Sequence, residues 1–88
     1  MITIRVHLYN ENIGWDDRLF VDVPFPAIPR VGEIVWLMDK YWDKLQDKID
    51  SDQELKSDYG IAQDYVSVYS VGYIINPPLV CIELTCNF

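Results

Sequence analysis

The chain has 88 residues, with 14 acids against 7 bases and a net charge of −7. Half of its residues are hydrophobic and 14% are aromatic, which excludes a disordered chain. The acidic balance opposes direct binding to phosphate backbones or anionic lipid surfaces, and the length predicts one small domain, 1–88, with a limited core.

At the start of the chain, Ile2, Ile4, Val6 and Leu8 alternate with Thr3, Arg5, His7 and Tyr9. A period of two predicts a half-buried strand. Asn10 to Asp17 reads as a loop, rich in asparagine and acid and containing Gly14. Arg18–Val23 predicts a second short strand, with Leu19, Val21 and Val23 on one face. Pro24, Pro26 and Pro29 then interrupt any ladder, because proline has no backbone donor. Gly32 suits the turn that follows. Glu33–Met38 resumes the alternation and predicts a third strand, central and covered on both sides.

The period then lengthens. Tyr41, Trp42, Leu45 and Ile49 fall at helical spacing, with Asp43, Lys44, Asp47 and Lys48 forming a wet outer face. Asp39 is placed to cap this helix. The stripe fails after Ile49, and Ser51-Asp52-Gln53-Glu54 matches a capping box for a second short helix. Gly60 is placed to stop it. Two long alternating runs follow, Tyr65–Ile75 and Leu79–Asn87, around Asn76-Pro77-Pro78. They predict an antiparallel hairpin, with a bulge or bend at Gly72.

These elements predict an α+β fold of order β-β-β-α-β-β. Its sheet would be five-stranded, mainly antiparallel and strongly curved, or a partly open barrel, with one broken helix after the third strand. The core candidates are Ile4, Val6, Val21, Ile34, Trp36, Leu45, Ile49, Val68, Ile74, Ile82 and Leu84, with Trp42, Leu45 and Ile49 facing inward from the helix. The element order resembles an OB-type barrel, which also places a helix between its third and fourth strands. Pro29-Arg30-Val31-Gly32-Glu33-Ile34-Val35 resembles the turn entering a strand in small SH3-like barrels. The OB resemblance implies nucleic-acid binding, but this acidic chain departs from the basic groove such binding uses.

Chemistry-bearing motifs are scarce. There is no nucleophile elbow, phosphate loop, HExxH or clustered CxxC. Cys81 and Cys86 would lie on opposite faces of the last strand, roughly 16 Å apart, too far for a disulfide. Two free thiols, no basic-apolar leader and no apolar run long enough for a bilayer point to a cytoplasmic protein. Glu11, Asp16 and Asp17 do not match a calcium loop, so no metal and no cofactor is expected. His7, the only histidine, stands beside Arg5 and Tyr9 without an identifiable carboxylate partner.

The binding candidates are aromatic and aliphatic. Tyr65, Tyr69 and Tyr73 share one face of an ideal strand, while Trp15, Phe25 and Ile28 lie in connections. Exposed, they would form an interface patch. The leading expectation is a non-catalytic protein-interaction module, possible as a homodimer through an edge strand. Alternatives are an acidic inhibitor or nucleic-acid mimic for a basic partner, and a small-ligand binder or enzyme using the Arg5/His7/Tyr9 face.

Overall fold

The computed structural model describes residues 1–13 and 17–86. In chain order it contains β1 (Ile2–Leu8), β2 (Phe20–Phe25), α1 (Asp39–Ser51), α2 (Gln53–Asp58), a 3-10 turn (Ala62–Asp64), β3 (Tyr65–Ile74) and β4 (Leu79–Cys86). The four strands form one mixed sheet in the order β2-β1-β4-β3. β1 pairs antiparallel with β2, β3 antiparallel with β4, and the two central strands, β1 and β4, run parallel. The connection from β2 to β3 carries the chain from one edge of the sheet to the other. That crossover is what makes the central pair parallel.

The sheet is open. This overturns the expectation of a five-stranded curved sheet or barrel, and with it the OB-like and SH3-like resemblances. The missing strand is Glu33–Met38. Only Ile34 makes a bridge, to Ser67, and Val35 donates to the Val66 carbonyl at 2.7 Å. By Met38 the backbone is already entering α1, with Tyr41 donating to the Met38 carbonyl. The alternation is real but its phase is the reverse of that expected. Val35 enters the core, while Ile34 is exposed and Trp36 is 79% exposed. A period of two states that faces alternate, not which face meets the core.

The core lies between the helices and one sheet face. Ile4, Val6 and Leu8 of β1 align with Val80, Ile82 and Leu84 of β4, and with Val23 and Val21 of β2. Trp42, Leu45 and Ile49 meet them from α1, as their helical spacing demands, joined by Leu55 from α2. The helix breaks at Asp52, whose carboxylate accepts from the backbone of Glu54 at 2.9 Å and Leu55 at 3.3 Å. Asp52 rather than Ser51 is therefore the cap of α2, and Met38 rather than Asp39 occupies the cap position of α1. Lys48 leaves the wet face to donate to the Phe20 carbonyl at 2.7 Å.

β3 changes phase along its length. Register shifts fall between Tyr65 and Ser67 and between Val68 and Ser70, while Gly72 lies in regular pairing with Cys81. Both irregularities thus lie upstream of the glycine expected to carry the bend. After them Val71, opposite Ile82, packs on the core, and Ile74 is left exposed instead of buried. Leu45→Ala should cost about 2–5 kcal/mol in urea unfolding, because its site is closed on all sides. Trp36→Ala should stay within about 0.5 kcal/mol, since it leaves no cavity.

Candidate functional site

Two surfaces stand out, the sheet face turned away from the helices and an apolar rim. The strand period places Thr3, Arg5 and His7 of β1 on the face away from the helices, next to Asp22 and Phe20 of β2 and Cys81 and Glu83 of β4. Arg5 donates from Nε to Asp22 Oδ1 at 3.1 Å, and its guanidinium lies 4.1 Å from the centre of the Phe20 ring. His7, tilted against Phe20 at 5.9 Å between ring centres, is only 4% exposed. Its register partner Glu83 is 6% exposed and accepts from the Ser70 hydroxyl at 2.6 Å.

Tyr9 completes this face. It stacks on Tyr69 with ring centres 3.8 Å apart. Tyr69 sits at the bulge between Val68 and Ser70, which oppose Leu84 and Glu83. A hydrogen bond with Tyr69 comes first in pushing the Tyr9 pKa up to about 12, followed by desolvation and the negative charges of Tyr69, Glu11 and Glu83. On the same face Arg5, His7 and Asp17 line a cleft of about 230 Å³ together with Gly72, Tyr73, Ile74 and Cys81.

The chemistry available in the cleft is limited. Burial pushes the Cys81 thiol up, which suppresses the thiolate that would act as nucleophile. Arg5 is already paired with Asp22. Among the described residues no group of three or more His, Cys, Asp and Glu side chains is placed to hold a metal. No described helix is long and apolar enough to cross a membrane.

The second surface is the end of the sheet where β1 and β4 begin and β2 and β3 finish. One groove runs along Met1, Phe25, Trp36 and Met38. Another runs along Ile2, Tyr73, Ile74, Ile75 and Leu79. They meet at the N-terminal end of β1. Trp36 is 79% exposed and Ile75 is 82% exposed. Signals for this rim were present in the sequence as Trp36, Met38 and Ile75. Alternation hid them, because it made Trp36 look like core.

The predicted binding residues separate. Tyr65 is half-buried against Tyr59, with ring centres 6.2 Å apart, and burial raises its pKa. Tyr69 belongs to the stack with Tyr9, and Tyr73 belongs to the rim and cleft. The bulges break the single row that an ideal strand predicts. Phe25 is half-buried against the core, and Ile28 is exposed in a groove beside it. Trp15 and Asp16 lie outside the described residues. Cys81 and Cys86 are both free thiols. In the helical layer, Asp39, Asp43 and Asp47 recur every fourth residue along α1, and Lys40, Lys44 and Lys48 form a second row beside them, so the acidic row is flanked by a basic one.

No family model matches the chain, no curated protein matches its sequence, and no solved structure matches its fold.

The Tyr9 shift has a checkable sign. The raised pKa favours the neutral phenol in the folded state. Its stabilising effect is complete below the ordinary tyrosine value of about 10 and is lost as pH climbs through about 12. A carbon-13 titration of the tyrosine Cζ signals should find Tyr9 ionising at about pH 12. Tyr69→Phe should bring it back toward the ordinary value.

Proposed function

We propose that this protein is a non-catalytic interaction module that docks another protein through its apolar rim. The observation that carries this reading is the cluster of large apolar side chains left in water at one end of the sheet, Trp36 and Ile75 foremost. Water-exposed apolar side chains of this size, joined across two grooves, are the usual mark of an interface. Tryptophan is also the residue type that most often anchors one. The raised Cys81 pKa and the already paired Arg5 support a binding role over a catalytic one.

The acidic-inhibitor reading draws less support, since the row of Lys40, Lys44 and Lys48 runs beside the aspartate row of α1. A small-ligand role for the Arg5, His7 and Tyr9 face has the cleft in its favour. Its cation is already neutralised and its thiol is held protonated, so the rim is the stronger surface.

Affinity capture from native lysate tests this reading when wild type is compared with Trp36→Ser/Met38→Ser. The double variant should hold its fold and retain captured protein about tenfold less well, or worse. Arg5→Ala, on the sheet face away from the helices, should capture as wild type does. Capture unaffected by the rim substitutions would refute the reading.

A further inference from the structure

We infer that the docking partner at the β3 end of the rim is a second copy of this chain, added edge to edge along Ser70–Ile74. The two strands would run antiparallel about a two-fold axis near Gly72, joining two four-stranded sheets into one of eight. This rests on the reading of the rim as a docking surface and names its occupant.

The two edges of the sheet differ in kind. On β2, Pro24 has no backbone donor, the Phe20 carbonyl is occupied by Lys48, and Asp22 puts a charge in the strand. On β3, the upper half already accepts a neighbour. Gly32 donates to the Val68 carbonyl at 2.8 Å, Val68 to the Glu33 carbonyl at 2.9 Å, and Val35 to the Val66 carbonyl at 2.7 Å. Gly32, at a φ of 90°, then takes the connection away from the strand. Among the described residues, none continues that ladder beside Ser70–Ile74. The edge has strand-accepting geometry, and half of it is unused by the described residues.

Charge selects the occupant. Residues 65–82 contain no Asp, Glu, Lys, Arg or His. A basic partner would find no carboxylate along this seam to complement it. A second copy supplies an identical uncharged edge of β-branched and aromatic residues. The surplus acids lie in other segments of the chain, and ordinary salt screens charges over about 8 Å. Pairing centred on Gly72 brings the copy's Ile75 beside Gly32 and Val31. Val31 is 65% exposed, and the space a Cβ on Gly32 would point into is open.

Size-exclusion chromatography with light scattering over a concentration series provides the test. Wild type should show the dimer mass as concentration rises. Tyr73→Lys puts like charges diagonally across the two-fold axis and Ile75→Lys sets a charge against the copy's Val31 and Gly32, and each should weaken the dimer about tenfold or more, with unchanged circular dichroism. As a second readout, Gly72→Cys in a Cys81→Ser/Cys86→Ser background should cross-link to itself under mild oxidation. A wild type that stays monomeric throughout overturns the inference, as does a dimer indifferent to both lysines. A monomer that still captures protein through Trp36 and Met38 overturns only the self-pairing. A monomer whose rim captures nothing overturns the docking reading as well.

Discussion

β1 and β4 lie parallel at the centre of the sheet, each hydrogen-bonded along both edges. Their inward residues, Ile4, Val6 and Leu8 against Val80, Ile82 and Leu84, form the floor on which α1 rests. A parallel pair cannot be closed by a tight turn, so the chain must cross from one sheet edge to the other between β2 and β3. The crossover uses the proline segment, the two helices and the 3-10 turn. Its helices cover one face, and the short sheet ends with two edges of different chemistry.

That arrangement accounts for both exposed surfaces. With helices on one face only, the other face is left to side chains that can satisfy themselves. Arg5 with Asp22, Ser70 with Glu83, and Tyr9 with Tyr69 form such a layer. The rim has a different origin. Where β2 ends and the prolines begin, the connection must cross the bottom of the sheet and then climb beside β3. Trp36 and Met38 lie where it turns into α1, on the outward phase of the alternation. Both residues are therefore left mostly in water.

Much of the architecture was legible in local pattern. β1, the β3–β4 hairpin, the break between the helices and the inward triad of Trp42, Leu45 and Ile49 all follow from periodicity and cap chemistry. Pairing partners were not legible, because a strand's period is the same in a parallel or an antiparallel neighbour. Phase was lost twice. At Glu33–Met38 both sets of alternating residues are apolar, so hydropathy could not choose between them. In β3 the bulge at Val68 and Ser70 exchanges the faces, and the only cue, Gly72, lay in the wrong place. Of the binding candidates, Tyr73 lies on the rim and Ile28 in an adjoining groove, whereas Tyr65 is occupied by packing.

The central parallel pair can be tested directly by interstrand nuclear Overhauser contacts in solution. Amide and Hα cross-peaks should connect Ile4 with the Val80 region, Val6 with Ile82 and Leu8 with Leu84, advancing in the same direction along both strands. Contacts that advance in opposite directions, or a β1 that meets β3 instead of β4, would contradict the parallel centre and the crossover that produces the rim.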